Sequence, residues 1–223
     1  MEMVEFDHSN ARFNMVEQQI RTWDVRDADV LEVLHRIPRE EFVPEAYKNL
    51  AYSDFAIPVG HGEEMLHPKF QAHALQALQL KAGSTVLEVG TGTGYLTALL
   101  AQFAEHVYSI DIHPDLLRVA SANLGKLNIT NVTLEEGDAS RGWPDHGPYD
   151  AIAVTGSVPE IYDELKRNMK IGGYMFVIVG ESPSMEAVIL KRVGENEWSK
   201  EKSLFETDVK PLENTGVEPE FEF

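Results

Sequence analysis

Val86-Leu-Glu-Val-Gly-Thr-Gly-Thr-Gly94 is the stretch whose reading decides the fold. Val86, Leu87 and Val89 form a short apolar run that enters three glycines at 90, 92 and 94. Tyr95 then opens a helical pattern carried by Leu96, Leu99, Leu100 and Phe103. The change of period predicts a buried strand that turns sharply into a helix. Glycines at such a turn let a ligand approach bare backbone, and a helix N-terminus with free amides suits the polar atoms of a nucleotide-like cofactor. The spacing is GxGxG, one residue shorter than the GxGxxG of a dinucleotide site.

Three further segments extend the pattern. His106-Val-Tyr-Ser-Ile-Asp111-Ile112 reads as a second strand ending in an acid, 21 residues after Gly90. A carboxylate at that tip can accept hydrogen bonds from ribose hydroxyls. Val132-Thr-Leu-Glu-Glu-Gly-Asp138-Ala139 reads as a third strand closing in a Gly-Asp-Ala turn, and Tyr149-Asp-Ala-Ile-Ala-Val-Thr155-Gly156 as a fourth. With Glu88 two residues before the first glycine, the four segments together resemble the cofactor half of S-adenosyl-L-methionine-dependent methyltransferases. The resemblance implies that Gly90, Thr91 and Gly92 meet the methionine part, Asp111 holds the ribose, and Ile112 covers the adenine. Asp138 and Ala139 would frame the adenine edge. Met65, Leu66, Glu88 and Thr155 complete the expected cofactor set, and S-adenosyl-L-homocysteine would be the product.

Composition narrows the alternatives. A chain of 223 residues can bury a substantial core. It has no cysteine, which excludes disulfides, a thiolate nucleophile and cysteine-bound zinc. The eight histidines form no HExxH or i, i+4 pair, so no metal is expected. A net charge of −18 would repel a phosphate backbone or an anionic lipid surface, so neither nucleic acid nor membrane is an expected partner. No signal-like N-terminus or spanning apolar run is present, and a cytoplasmic location is expected.

The predicted fold is α/β: a Rossmann-like, doubly wound, mostly parallel seven-stranded sheet with an N-terminal helical extension and a C-terminal β-hairpin. Residues 1–80 read as helices plus a substrate and cofactor loop, 81–210 as the cofactor-binding domain, and 211–223 as an acidic tail. Phe13, Val16 and Ile20 repeat at helical spacing, as do Val30, Val33, Leu34 and Ile37 before Pro38. Ala51–Pro68 reads as a loop, followed by a helix with Phe70, Ala74 and Leu78. Crossover helices are expected over Thr93–Ala104, Pro114–Leu127 and Pro159–Asn168, and a hairpin over Ala187–Val193 and Trp198–Thr207. The tail either hangs loose or packs by Phe221 and Phe223.

The N-terminal third carries a closer likeness. Met15-Val-Glu-Gln-Gln-Ile20, Ile37-Pro-Arg-Glu-Glu-Phe-Val-Pro44, Ala51-Tyr-Ser-Asp54 and Ile57-Pro-Val-Gly60 resemble the start of protein-L-isoaspartate O-methyltransferases. The resemblance runs to Val209-Lys-Pro-Leu212. It implies methyl transfer to the carboxylate of a damaged aspartyl residue in a peptide or protein, as a repair step, with Asp54 as a candidate catalytic residue that orients substrate or cofactor. One position departs: Leu66 stands where the family has its active-site serine, and leucine has no hydrogen-bonding group. Glu63 and Glu64 also add charge at the expected entrance of an anionic substrate. Two other readings therefore stay open: the same scaffold acting on a small-molecule acceptor, and a catalytically silent cofactor-binding module.

Overall fold

The structure is a computed structural model, and it describes residues 6–215. Helix α1 (His8–Asn14) is capped by Asp7, whose carboxylate accepts the Asn10 amide at 2.9 Å. It continues into a wider π-helical turn at Met15–Ile20 and a tight turn at Arg21–Trp23. That widening shifts the buried stripe to Met15, Val16 and Ile20 and leaves Phe13 54% exposed, where uniform helical spacing had placed it inward. Helix α2 (Ala28–Arg36) starts at Asp27, which caps the Asp29 and Val30 amides, and ends before Pro38 as predicted.

The segment read as an open loop contains a hairpin. Strand β1 (Ile57–Gly60) pairs antiparallel with β2 (Glu63–Met65) around His61 and Gly62, both at positive φ (54° and 72°). Two positive-φ residues make the tight turn whose twist suits a two-residue hairpin. Pro58 and the glycines, read as breakers, here bound very short strands. Helix α3 (Pro68–Ala77) follows, with proline in its first turn.

The main sheet contains β3 (Thr85–Val89), β4 (His106–Asp111), β5 (Val132–Glu136), β6 (Tyr149–Val158), β7 (Met169–Glu181), β8 (Ser184–Gly194) and β9 (Glu197–Thr207). Their order is β5-β4-β3-β6-β7-β8-β9. The first five are parallel, and β8 and β9 add an antiparallel hairpin. Helices α4 (Tyr95–Leu100), α5 (Pro114–Lys126) and α6 (Asp163–Arg167) make crossovers, the first and third shorter than expected. Neighbouring residues on a strand face opposite sides, so the sheet feeds two cores. Val86, Val107, Ala151 and Phe176 join α4 and the N-terminal Val16, Ile20 and Leu34 on one side. Leu87, Ile110, Ile152 and Val177 pack with Leu165 on the other. Strand order reverses between β3 and β6, and in such sheets the crevice for a ligand opens at the carboxyl ends of those strands.

After β9 the chain returns across the sheet. Leu212 donates its amide to the Ser157 carbonyl at 2.9 Å, and the Tyr162 hydroxyl donates to the Thr215 carbonyl at 3.1 Å. The start of the acidic tail thus packs on β6, while Phe221 and Phe223 lie outside the described residues. Among the described residues no helix is long and apolar enough to cross a membrane.

Candidate active site

A single cavity occupies the switch point. Its floor is the turn after β3, its walls are the tips of β4, β5 and β6, and its roof is the β1–β2 hairpin with residues 208–213. Met65, Leu66, Glu88, Gly90, Thr91, Gly92, Asp111, Ile112, Asp138, Ala139 and Thr155 all line it. Residues chosen from four separate strands and a loop therefore converge on one place.

The turn is braced from both sides. Gly90 has φ +92°, and a Cβ there would lie 2.2 Å from the Thr155 hydroxyl oxygen, so only glycine fits. Thr155 donates to the Val89 carbonyl at 2.9 Å or the Gly90 carbonyl at 3.0 Å, which ties β6 to the loop. Gly92 (φ +54°) has open space where a side chain would project. The Asp111 carboxylate accepts the Gly92 amide at 2.8 Å and the His113 amide at 2.9 Å, which fixes its position while further lone pairs remain for a ligand. Thr91 spends its hydroxyl inward on Ser109 at 2.7 Å.

Two acids differ in electrostatics. Glu88 is wholly buried, and burial pushes its pKa up to about 8 although Ser109 and Thr97 donate hydrogen bonds to it. One of its oxygens has no partner. Asp138 is only partly buried; desolvation works to raise its pKa, but hydrogen bonds from Ser140 and Asn214 hold it below the ordinary carboxylate value.

Asp54 stands apart from the cavity lining. Its carboxylate is engaged by Lys69 at 2.7 Å and His67 at 3.1 Å, and these bonds lower its pKa against the effect of partial burial. It ties the turn before β1 to the start of α3, and only His67 of the three reaches the cavity.

The roof also holds Lys210, His113 and Glu213, which the sequence did not single out. Lys210 pairs with the Glu63 carboxylate, so one of the two entrance charges is neutralised. His61 stacks on His113 (ring centroids 4.1 Å apart) and meets Asp115 at 2.7 Å. Glu63, His113 and Glu213 each place a possible metal-ligand atom within 4.8 Å of the others. The Lys210 ammonium already supplies a positive charge at that spot. Gln71 and Tyr95 also line the cavity. Gln71 falls in a helical stretch whose periodicity marks only the core face, and Tyr95 reads simply as the start of a helix, so neither gave a signal.

Comparison with known proteins places this geometry. The family described as Protein-L-isoaspartate(D-aspartate) O-methyltransferase matches residues 10–209. The chain is 43% identical over 178 residues to protein-L-isoaspartate O-methyltransferase 1 of Rhodopseudomonas palustris, covering 80% of this chain and 73% of that protein. It is 37% identical over 188 residues to protein-L-isoaspartate O-methyltransferase 2 of Pelobacter propionicus, covering 84% of each. Among solved structures, a protein-L-isoaspartate O-methyltransferase superposes with a TM-score of 0.75 at 25% identity, covering 90% of this chain and 65% of that one. A Plasmodium falciparum protein put forward as the same enzyme, determined in complex with S-adenosyl-L-homocysteine, gives 0.72 at 19% identity, covering 93% and 100%. That last likeness concerns the fold.

Proposed function

The chain belongs to the protein-L-isoaspartate(D-aspartate) O-methyltransferase family, and from that premise we propose that it methylates a free carboxylate of damaged aspartyl residues in peptides or proteins. The observation that carries the proposal is the glycine turn at the β3–β6 switch point, held against Asp111 and opened toward the cavity at Gly92. These residues fit S-adenosyl-L-methionine: bare backbone for the methionine part, a fixed carboxylate for ribose hydroxyls, and an ionised acid at the Asp138 turn for the adenine edge. Bound there, the cofactor supplies a methyl group already activated as a sulfonium.

The acceptor needs little activation. A carboxylate with a pKa of about 4 is ionised at neutral pH, so no general base is required. The protein's work is alignment and exclusion of water, which can contribute several kcal/mol. Met65 and Leu66 give an apolar wall, each 7% exposed, and the paired Glu63 and Lys210 line the roof. Asp54 acts through His67 as a positioning residue on this reading. A cytoplasmic location is part of the same proposal.

Leu66 supports a second reading, the same transfer to a smaller acceptor, because residue 66 offers no hydroxyl. Two measurements separate the possibilities. Calorimetry should show binding of S-adenosyl-L-methionine and none of NAD; the reverse would end the cofactor assignment. Radiolabelled methyl transfer should then proceed to an isoaspartyl peptide and not to its ordinary aspartyl counterpart. Tight cofactor binding with no turnover on any carboxylate would favour a silent module.

A further inference from the structure

Arg39 is wholly buried beside the cavity, and it lacks a carboxylate partner. Among the described residues it makes no ion pair, since the adjacent Glu40 is engaged by Arg12 at 3.1 Å and by the Tyr52 hydroxyl. Burial draws its pKa down to about 10, so it stays charged at neutral pH. An unpaired buried charge is costly to a fold. The guanidinium is held by neutral groups: it donates to the Gln71 side-chain carbonyl and, at 2.8 Å, to the Leu66 backbone carbonyl. It lies over the Tyr95 ring, 4.9 Å from the centroid, and its Nε has no partner.

The two side chains in front of it are both cavity residues. A guanidinium only donates, so Gln71 must face it with Oε1, which leaves the two Nε2 protons for something else. Tyr95 is 1% exposed; its hydroxyl oxygen faces the Arg39 guanidinium, and its own proton has no acceptor. Buried hydroxyls are normally satisfied, and an orphan one on a cavity wall points to a ligand group that completes it. Two free donors thus gather on the uncompensated guanidinium that also binds the Leu66 carbonyl. Elsewhere on the wall the carboxyl groups outnumber the cations: Glu64, Asp111 and Asp138 face Lys210, which is already paired with Glu63.

We infer that Gln71 and Tyr95, polarised by Arg39 behind them, are the groups that recognise the acceptor carboxylate, supplying the hydrogen bonds that residue 66 cannot. This rests on the carboxylate-methylating reading above. Charge-assisted hydrogen bonds of this kind are stronger than neutral ones, and the buried position keeps them from competing water.

The test uses Gln71→Glu and Tyr95→Phe in the full chain, with S-adenosyl-L-homocysteine affinity, melting temperature, and KM and kcat for an isoaspartyl peptide as readouts. Glutamate at 71 gives Arg39 the anion it lacks, so the fold holds or gains stability, while the free donors disappear and the charge facing the acceptor is cancelled. KM for the peptide should rise at least about tenfold in each variant, with product affinity unchanged. Removal of a merely structural contact would move the melting temperature and leave KM alone. Wild-type turnover with unmoved KM in both variants overturns this inference and leaves the proposed function standing. A wild-type protein that binds the product nucleoside yet neither binds nor methylates the peptide overturns both.

Discussion

The wall that carries Gly90, Asp111 and Asp138 and the wall that carries Met65, Leu66 and Gln71 face the same cavity, yet they are held by different means. The first is fixed mainly through backbone groups: positive-φ glycines, strand tips, backbone amides of Gly92, His113 and Ser140 donating to carboxylates, and backbone carbonyls that accept from Thr155. The second is fixed across the chain, with Arg39 reaching Gln71 and Leu66, Lys210 reaching Glu63, and Asp54 reaching Lys69. A wall made of backbone tolerates few replacements, because the constraint lies in φ/ψ space and in close approach. A wall made of side-chain pairs can be rebuilt pair by pair. The family serine is replaced on the second wall, and the glycine pattern is kept on the first.

That contrast breaks most directly at Gly90. An alanine there would need a backbone conformation that L residues rarely adopt, and its Cβ would lie 2.2 Å from the Thr155 oxygen. We expect Gly90→Ala to weaken S-adenosyl-L-homocysteine binding by about 3 kcal/mol or more, over a hundredfold, as read by calorimetry. Affinity within a few-fold of wild type would mean that this wall is as adaptable as the other.

Asp111→Ala should come next. It removes the acceptor of the Gly92 and His113 amides together with the proposed ribose contact. A loss of about 1.5–3 kcal/mol in cofactor affinity is expected, roughly 10- to 150-fold. Unchanged affinity would show that the carboxylate serves only the loop.

The same division explains what the sequence revealed. Glycine spacing and acids at strand ends are local signals, so the mostly parallel sheet and the strand-tip residues that line the cavity were legible in the sequence. Tertiary pairing is not local. Lys210 lies 147 residues from Glu63, and nothing in either neighbourhood announces the ion pair that neutralises the entrance. Arg39 stood inside a recognised block, but its burial without a counter-ion exists only once α3 folds over it. The β1–β2 hairpin was hidden for a different reason: proline and glycine read as breakers, whereas His61 and Gly62 at positive φ make a turn. Phe13 misled because a π-turn changes the period on which the prediction relied.

Glu88 sharpens the comparison through pH. Burial raises its pKa from 4.5 to about 8. Between those values the folded protein holds a proton that the unfolded chain releases, so this group's contribution to stability falls as pH rises through the window. Glu88→Gln is neutral throughout and keeps the hydroxyls of Thr97 and Ser109 as partners. Its melting temperature relative to wild type should climb from about pH 5 to about pH 8. A constant difference would mean that Glu88 is already ionised in the fold, with a cation or ordered solvent beside it.

The smallest effect on ligand handling is expected at Leu66, where the family pattern and this chain disagree most openly. If the second wall had simply lost a hydroxyl, Leu66→Ser would restore it and raise isoaspartyl turnover. The geometry argues otherwise. Leu66 is 7% exposed, its carbonyl is taken by Arg39, and the same guanidinium holds Gln71 and Tyr95, the groups inferred above to meet the acceptor. A serine would add one donor to a wall that has its own, and it would remove buried apolar contact worth about 2 kcal/mol of stability or more. We therefore expect kcat/KM for an isoaspartyl peptide to change by less than about threefold, alongside a lowered melting temperature. A tenfold gain in turnover would show that the wall was damaged and not rebuilt, and that the hydroxyl alone had been missing.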